Sequence, residues 1–285
     1  MFNMTNQMLF RKAERRKAKL RLGLVGPAGS GKTWSALAIA KGIGGKVALI
    51  DTESGSGDLY ANSFDYDILT LSAPFSPDRY IEAIMAAEKA NYDIIIIDSL
   101  SHAWAGSGGV LEMQGKIAER EKNSYTSWRT ITPKHNALVD SMLQSTSHII
   151  ATMRSKTDYE LVEDERGRKV PRKIGLAPVQ REGMDFEMSL VFDIDWNHEA
   201  KSSKDRTGLF PNDKFIKLSE ETGKEILTWL ETGLESTPDC FRCYSIKKIR
   251  VPSAGKQQIQ GKEYDFCELC QTEYLNSQQK NQLMS

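Results

Sequence analysis

The sequence predicts an α/β fold with a central, mostly parallel sheet, and three observations support this prediction. The apolar run 22–25 is typical of a buried strand, residues 34–40 have the pattern of a helix, and a glycine-rich turn lies between them. Two further apolar runs, at 46–53 and 92–99, end in acidic residues and alternate with helical patterns. Strands that alternate with helices favour parallel pairing, because each crossover returns the chain to the same edge of the sheet.

The glycine-rich turn has the complete phosphate-loop pattern G-x-x-x-x-G-K-[ST]. In this pattern successive backbone N–H groups surround a phosphate, and the start of the next helix adds positive potential. Lys32 is expected to reach the β- and γ-phosphate oxygens, and the Thr33 hydroxyl is expected to ligate Mg²⁺. The sequence therefore predicts a site for ATP and Mg²⁺. Its predicted residues are Gly26, Pro27, Ala28, Gly29, Ser30, Gly31, Lys32, Thr33, Trp34 and Asp98.

Acidic residues end the next two predicted strands. Glu53 would emerge beside the γ-phosphate, where a carboxylate can activate water, although a solvated loop acid is the alternative. Asp98 follows four consecutive isoleucines, which suit a strand buried on both faces, and it is predicted to hold the Mg²⁺. Together with the phosphate loop, these acids predict ATP hydrolysis.

The segment after Asp98 is rich in glycine, and residues 101–109 are predicted to form a mobile loop. Trp104 would be either available for stacking on a nucleic-acid base or packed against the protein. His102 is interpreted as a polar loop residue rather than a ligand. A mostly helical stretch then leads to a strand at 148–153.

Two segments are basic, although the whole chain is balanced at 38 Lys and Arg against 38 Asp and Glu, with a pI of about 6.9. Residues 1–21 predict a basic helix, either a solvated arm or a contact to phosphates or to a neighbouring subunit. Residues 158–174 predict a hairpin whose return arm either contacts a phosphate backbone or is merely solvated. The predicted nucleic-acid contacts are Arg154, Lys156, Arg166, Arg168, Lys169, Arg172 and Lys173.

The four cysteines form two C-x-x-C pairs separated by residues 244–266. In a reducing compartment this spacing favours a tetrahedral Zn²⁺ site over disulfide bonds, and the absence of a fifth ligand pattern favours a structural zinc. The predicted zinc ligands are Cys240, Cys243, Cys267 and Cys270.

The 285 residues, 32.0 kDa in mass, are predicted to form one large core and one small appendage. The predicted segments are a basic arm at 1–19, an ATPase core at 20–230, a linker at 231–239 and a zinc-ribbon module with a tail at 240–285. The linker assignment follows from its glycine, serine, threonine and proline. Neither a secretory signal nor an apolar run of about 18 residues is present, so we expect a cytoplasmic protein without a membrane partner.

The phosphate loop, the strand ends at 51–53 and 98–99, and the element Lys204-x-Arg206-x-Gly208 resemble the RecA-type ATPase core over roughly residues 20–230. The chain resembles in particular the phage-encoded RecA-like ATP-binding proteins, a group that includes single-strand-annealing recombinases. This resemblance implies that Glu53 activates water. It also implies that Lys204 and Arg206 act on the γ-phosphate in the site of a neighbouring subunit.

The same resemblance implies a homo-oligomer, either a ring or a filament, that acts on single-stranded DNA in the cytoplasm of a phage host. A phage single-strand-binding or replication protein is a further expected partner. Residues 10–13 have the F-x-x-A form with which RecA- and Rad-type recombinases dock on the next protomer. Thr152 stands where RecA has a glutamine as γ-phosphate sensor, and the zinc module is an addition to the RecA pattern.

Three other functions share some of these motifs. A ring-forming helicase or DNA-transport motor would use every core motif. A small-molecule kinase would use the phosphate loop, but the basic hairpin, the Lys204-x-Arg206 element and the cysteines argue against it. A binding module could use ATP only as a conformational switch. Annealing versus unwinding, DNA versus RNA, and the partner of the zinc module are left open at this stage.

Overall fold

In the computed structural model of the protein, residues 12–283 are described except 123, 164–168, 236–239, 242, 244–250, 252 and 260. The chain forms two compact units. One is Lys19–Glu231, and the other combines Met1–Ala18 with Thr232–Ser285.

A nine-stranded sheet organises the larger unit, with strand order β3-β2-β4-β5-β1-β7-β8-β9 and with β6 paired to β5. The first six strands in this order are parallel, and β8 and β9 are antiparallel. The predicted α/β fold with a mostly parallel sheet is therefore confirmed. The strands are β1 Arg21–Gly26, β2 Val47–Asp51, β3 Asp67–Thr70, β4 Ile94–Asp98, β5 His148–Glu163, β6 Lys169–Pro178, β7 Leu190–Ile194, β8 Ala200–Asp205 and β9 Phe215–Ile216.

Helices cover both faces of this sheet, which explains the run of isoleucines in β4. Ile94 and Ile96 join one buried cluster, and Ile95 and Ile97 join the other. Such a strand has no polar face, as expected for the centre of a parallel sheet. The helices are α1 Lys32–Ile43, α2 Pro77–Lys89, α3 Ser101–Ala105, α4 Val110–Glu121, α5 Ser124–Gln144, α6 Met184–Glu187 and α7 Glu220–Glu231, with a 3₁₀ helix at Ser56–Tyr60.

Helix α1, which follows the phosphate loop, packs closely on α7 through two glycines. A Cβ atom on Gly42 would lie 2.0 Å from the Glu220 carbonyl oxygen, and a Cβ on Gly223 would lie 2.2 Å from the Ile39 carbonyl oxygen. Side chains at these positions would force the helices apart, since the obstructing atoms belong to backbone. The contact fixes α1, and with it the loop at the start of this helix.

Strand β5 belongs to two parts of the fold. Its first residues pair with β1 and β4 inside the parallel sheet, and from Ser155 onward it pairs with β6 as an antiparallel hairpin. The predicted hairpin is thus confirmed. It continues directly from the sheet strand, without an intervening loop.

The prediction of a mobile loop at 101–109 is wrong. Residues 101–105 form α3, and a turn through Gly106 and Gly109 leads into α4. Trp104 lies 5.8 Å from the Trp128 ring and 5.6 Å from the His135 ring, measured between centroids. The packed alternative for Trp104 is therefore confirmed. Ring stacking against α5 holds this segment, an interaction that a glycine-rich sequence does not disclose.

The prediction of a basic N-terminal helix is wrong for the described residues of that segment. Residues 12–20 contain no helix. Lys17 N–H donates to the Leu234 carbonyl at 2.9 Å, and Leu234 N–H donates to the Arg15 carbonyl at 3.0 Å. Backbone groups paired with the segment after α7 are not available for intrahelical bonds. The F-x-x-A motif at 10–13 lies largely outside the described residues.

The rest of the smaller unit contains the hairpin of β10 Gly255–Ile259 and β11 Lys262–Phe266, followed by α8 Glu268–Leu283. The cysteines and Phe266 form its buried cluster. Among the described helices of the whole chain, none combines the length and the apolar character needed to span a membrane.

Candidate active site and cysteine cluster

The phosphate loop runs from the end of β1 to the start of α1, as the sequence predicts. Gly29 and Gly31 have φ values of 80° and 86°, in the left-handed region that favours glycine. A Cβ on Gly26 would lie 2.6 Å from the Ile194 carbonyl oxygen, so only glycine fits there. Left-handed backbone at Gly29 and Gly31 and the close approach at Gly26 thus explain the glycines of the motif. The result is an anion-binding turn at the N-terminus of α1.

Asp98 lies at the centre of a hydroxyl network. Thr33 Oγ1 donates to Asp98 Oδ2 at 2.6 Å, and Thr152 Oγ1 donates to Asp98 Oδ1. Burial raises the pKa of Asp98, and these two hydrogen bonds oppose that shift. The structure therefore brings together the two predicted Mg²⁺ ligands, Thr33 and Asp98. Thr152 orients the carboxylate in this arrangement.

Lys32 bends back over its own loop. Its ammonium group donates to the Gly26 carbonyl at 3.0 Å and to the Pro27 carbonyl at 2.8 Å. Partial burial lowers the pKa of Lys32, and the charges of Asp98 and Glu53 act in the opposite direction. Lys32 thus lies within the phosphate loop, and its predicted contact with the β- and γ-phosphate oxygens stays a prediction.

A cavity of about 570 Å³ opens beside the loop. Its walls include Trp34, Tyr60, His198 and Lys217. The Trp34 and Tyr60 rings meet edge to face at 6.1 Å. Aromatic rings next to a phosphate loop suit a planar base, so the cavity can accommodate the base and ribose of a nucleotide.

The loop that carries Glu53 is shaped by Asp51, a completely buried carboxylate at the end of β2. Asp51 accepts hydrogen bonds from the N–H groups of Glu53 at 2.6 Å, Gly55 at 2.8 Å and Gly57 at 3.3 Å. Three backbone donors on one carboxylate hold the turn rigidly. Glu53 therefore projects from a fixed loop at the carboxyl edge of the sheet, as predicted.

The Glu53 carboxylate lies between Arg154 and His102. Arg154 Nε donates to Glu53 Oε1 at 3.0 Å, and Arg154 Nη2 donates to Glu53 Oε2. His102 Nε2 lies 4.0 Å from Glu53 Oε1, while His102 Nδ1 is 2.8 Å from Thr52 Oγ1. The interpretation of His102 as a polar loop residue is thus wrong. It lies on α3 and faces the proposed base, because α3 begins directly after β4.

The residues present fit ATP and Mg²⁺. Hydroxyl and carboxylate oxygens are the donors that Mg²⁺ prefers, and Thr33 and Asp98 supply one of each. When bound, Mg²⁺ and ATP would supply charge neutralisation on the phosphate oxygens and a γ-phosphoryl group. The protein contributes the cation of Lys32, the anion-binding turn and the carboxylate of Glu53. These are the groups that phosphoryl transfer to water requires.

The structure does not bring Lys204 and Arg206 to the phosphate loop of their own chain. Lys204 pairs with Val191 near the start of β7, and β7 runs parallel to β1 with Leu190 beside Leu22. The phosphate loop follows Gly26, at the other end of β1 and about 13 Å from Leu22 at the usual rise per residue. Lys204 Nζ donates to the Asp185 carbonyl at 3.1 Å, and Arg206 Nη2 donates to the Phe186 carbonyl at 3.2 Å.

The first of the predicted nucleic-acid contacts lie at the edge of the sheet that carries the phosphate loop, and the described others lie farther along the hairpin. Arg154 is opposite Gly26, and Lys156 is exposed two residues later on β5. Lys169, Arg172 and Lys173 lie on β6. Arg166 and Arg168 lie outside the described residues. The base of the hairpin is therefore next to the nucleotide site.

The four cysteine thiols converge in the smaller unit. All are buried, and their sulfur atoms lie within 4.8 Å of one another. Cys243 Sγ is 3.5 Å from Cys270 Sγ and 3.8 Å from Cys267 Sγ. A tetrahedron of sulfurs around Zn²⁺ with bonds of about 2.3 Å has edges of about 3.8 Å. The sulfur separations therefore fit zinc. With no cation present, burial raises the pKa of the Cys243 thiol to about 11.

The sequence analysis did not identify the partners of the predicted acids. Asp51 holds the Glu53 loop through backbone hydrogen bonds, and Thr152 donates a hydrogen bond to Asp98. Arg154 and His102 both lie next to the Glu53 carboxylate. One signal was present, since Asp51 and Asp98 each end an apolar strand and Thr152 lies near the end of the apolar run 148–153. Parallel strands bring such ends to one edge.

The sequence matches the AAA domain family over residues 18–226. No curated protein matches it significantly. Among solved structures, a KaiC-like protein from the hyperthermophilic archaeon Pyrococcus horikoshii is similar at a TM-score of 0.38 and 16% identity, with 68% of this chain and 83% of that chain covered.

The matched range is more than half of the 285 residues, and it contains the phosphate loop, Glu53, Asp98 and Thr152. The chain therefore belongs to the AAA domain family and is a P-loop ATPase.

Proposed function

We propose that this ATPase is magnesium-dependent, assembles with further copies of itself and acts on single-stranded DNA in recombination of the phage type. The observation that carries the DNA assignment is the continuity of β5. The strand that supplies Thr152 and Arg154 to the nucleotide site continues as one arm of the basic hairpin. A ligand on the hairpin would therefore act directly on the strand whose Thr152 and Arg154 contact Asp98 and Glu53.

Charge supports a nucleic acid as this ligand. The return arm carries Lys169, Arg172 and Lys173, and Arg166 and Arg168 precede it in the sequence. A segment with this many lysines and arginines is suited to a phosphate backbone rather than to base edges. The proposed binding is therefore electrostatic and only weakly dependent on sequence.

The affinity of the full-length protein for a single-stranded oligonucleotide should fall steeply with salt, by a log–log slope of about −0.7 for each phosphate contacted. Replacing Lys169, Arg172 and Lys173 with alanine should weaken binding to all sequences and flatten this slope. Fluorescence anisotropy across a salt series, with an ATP analogue present, measures both quantities.

A matched control replaces three exposed lysines elsewhere, which produces the same change in net charge. These are Lys89, Lys122 and Lys214. If both triple variants lose affinity equally, the hairpin is not the binding site. If the parent protein binds no nucleic acid at low salt, the DNA assignment is wrong. Acceleration of strand pairing, without unwinding of a fork, would support annealing over a helicase.

Assembly is proposed because Lys204 and Arg206 lie at the edge of the sheet opposite the phosphate loop. Neither can reach the γ-phosphate of its own chain, whereas a neighbouring copy stacked head to tail would meet them. Both side chains are held by the carbonyls of Asp185 and Phe186, which fixes their direction. The cations would then complete the neighbour's nucleotide site.

A mixture of Arg206→Ala and Lys32→Ala proteins should regain part of the ATPase activity that each variant lacks alone. At a mixed interface an intact phosphate loop can meet an intact Arg206, because each variant keeps the group that the other has lost. Steady-state ATP hydrolysis across mixing ratios measures the effect, and Lys204→Ala mixed with Arg206→Ala is the control without rescue. No recovery in verified mixed oligomers would contradict action between subunits.

The cysteine cluster is proposed to hold one structural Zn²⁺ per chain. Four buried sulfur ligands within 4.8 Å of one another, with no described carboxylate or histidine among them, would fill the four positions of a structural zinc and leave none for a reacting water. The metal would organise the β10–β11 hairpin and the start of α8.

A further inference from the structure

We infer that His198 and Lys217 form a second anion-binding wall of the nucleotide site and hold the diphosphate that ATP and ADP share. Both residues lie outside the phosphate-loop pattern, since His198 follows strand β7 and Lys217 follows strand β9. Their role rests only on the assignment of the chain as a P-loop ATPase. It is independent of the proposed action on DNA and of subunit assembly.

The backbone of His198 is held in an unusual conformation by the turn between β7 and β8. Its φ value of 62° lies in the left-handed region, which residues other than glycine adopt rarely. Asp195 fixes this turn, because its carboxylate accepts hydrogen bonds from the N–H groups of Asn197 at 2.8 Å and Glu199 at 2.9 Å. The Asp195 carbonyl also accepts the N–H of His198 at 3.2 Å. The direction in which the His198 side chain leaves the backbone is therefore set within the turn.

This direction brings the imidazole ring of His198 against the phosphate loop. A Cβ atom on Gly31 would lie 3.1 Å from His198 Nδ1 and 3.9 Å from Cε1. Gly31 directly precedes Lys32 and ends the anion-binding turn at the start of α1. A side chain at position 31 would crowd the ring, so the neighbouring imidazole favours glycine here in addition to the φ value of 86°.

Lys217 reaches the same cavity from the strand beside β8. It follows β9, in which Ile216 pairs with Ala200, two residues beyond His198. His198 and Lys217 both line the cavity of about 570 Å³ beside the loop, and both are exposed. Within the part of the chain that the structure describes, neither side chain has a hydrogen bond or an ion pair with another residue. Their donors are therefore available to a ligand in the cavity.

The position of these donors indicates which part of the nucleotide they contact. The backbone N–H groups of a phosphate loop surround the α- and β-phosphates. Glu53 and Asp98, the acids expected beside the γ-phosphate and Mg²⁺, are not among the residues that line this cavity. An imidazole N–H and an ammonium group are donors that phosphate oxygens accept, and the ammonium group adds a positive charge. The α- and β-phosphates are therefore the groups that His198 and Lys217 can reach.

Contacts to the shared diphosphate have a characteristic effect on binding and turnover. Both nucleotides carry the α- and β-phosphates, so loss of such a contact weakens the binding of ATP and of ADP by the same factor. An interaction that is equally strong in the ground state and in the transition state lowers KM without raising kcat. Removal of either side chain should therefore raise KM for ATP and leave kcat no lower than that of the parent.

The test uses the full-length protein with Mg²⁺ and without nucleic acid. Calorimetric titration measures Kd for ADP and for a non-hydrolysable ATP analogue, and stopped-flow displacement measures the rate at which ADP dissociates. His198→Gly removes the ring, and glycine adopts the positive φ of this turn without strain. Both affinities should fall by the same factor, roughly three- to tenfold, as expected for one hydrogen bond at a solvent-accessible site. ADP should dissociate faster by a similar factor.

Further variants separate the side chains from the turn that carries them. Lys217→Gln removes the charge and should weaken both nucleotides in the same way, and Lys217→Arg should restore most of the affinity. Asn197→Gly places a glycine one residue earlier in the same turn, and Lys214→Gln removes an exposed lysine of the same segment. Both of these controls should bind ADP and the ATP analogue like the parent.

Parental affinity of His198→Gly or of Lys217→Gln would overturn the assignment of that residue. A loss for the ATP analogue but not for ADP would also overturn it, because the contact would then be to the γ-phosphate. An equal loss in Asn197→Gly would contradict a contact from the imidazole and would show that the turn itself sets the affinity. Binding is measured without DNA and without mixing variants, so failure of the DNA or assembly proposals would leave these results unchanged.

Discussion

Replacing Glu53 by glutamine is expected to leave ATP binding intact and to lower kcat by about 10²- to 10⁴-fold, the usual contribution of a general base. Glutamine has nearly the same size and hydrogen-bonding reach, so the Asp51-bonded loop should persist, but an amide cannot accept the proton of the attacking water. Steady-state hydrolysis and equilibrium binding of an ATP analogue measure the two effects separately.

Lys32→Ala is expected to give a contrasting result, because its ammonium group is predicted to contact the phosphates when ATP binds, before any chemistry occurs. This variant should lose nucleotide affinity itself. Glu82→Gln, on the exposed face of α2, is the matched control for the charge change and should hydrolyse ATP like the parent. Parental turnover by Glu53→Gln would show that another group activates water.

Removal of zinc is expected to unfold the cysteine module, with a loss of apparent folding free energy on the order of 10 kcal/mol. The reason is the small size of the core: Cys240, Cys243, Cys267, Cys270 and Phe266 are its only buried hydrophobic or sulfur-containing residues among those described. A module of this size cannot bury enough apolar surface to be stable without a metal.

The measurement combines zinc analysis of protein purified without chelator, thiol titration, and limited proteolysis before and after chelation. One zinc per chain, protected thiols, and cleavage after Cys240 only in the chelated protein are expected. Binding of an ATP analogue should persist after chelation, because the described nucleotide cavity is lined only by residues within Lys19–Glu231. Absence of zinc together with four reactive thiols would contradict the assignment.

The sequence alone could predict those parts of the site that are encoded by neighbouring residues. The phosphate loop depends on glycines that provide left-handed backbone at Gly29 and Gly31, and these requirements are local. The isoleucines of β4 predicted a strand buried on both faces and an acid at its end, and the structure confirms the strand. The cysteine spacing likewise predicted four sulfurs that converge.

The errors arose where local composition was a poor guide to tertiary contacts. Residues 101–109 contain several glycines, yet stacking of Trp104 on Trp128 holds the segment against α5. Basic residues near the N-terminus suggested a helix, but hydrogen bonds of Arg15 and Lys17 with Leu234 hold the described part extended. In both cases the deciding contact comes from a part of the chain distant in sequence.

What the sequence by itself determined is therefore the set of groups at the nucleotide site: an anion-binding turn, a candidate metal carboxylate and the candidate base Glu53. Only the tertiary structure decided which side chains meet these groups. Glu53 and Arg154 are 101 residues apart and meet because the parallel sheet brings the ends of β2 and β5 to one edge. Lys204 and Arg206 lie at the opposite edge because β7 pairs in parallel with β1 and β8 returns antiparallel to β7; the pairing of β7 with β1 joins strands that are distant in sequence.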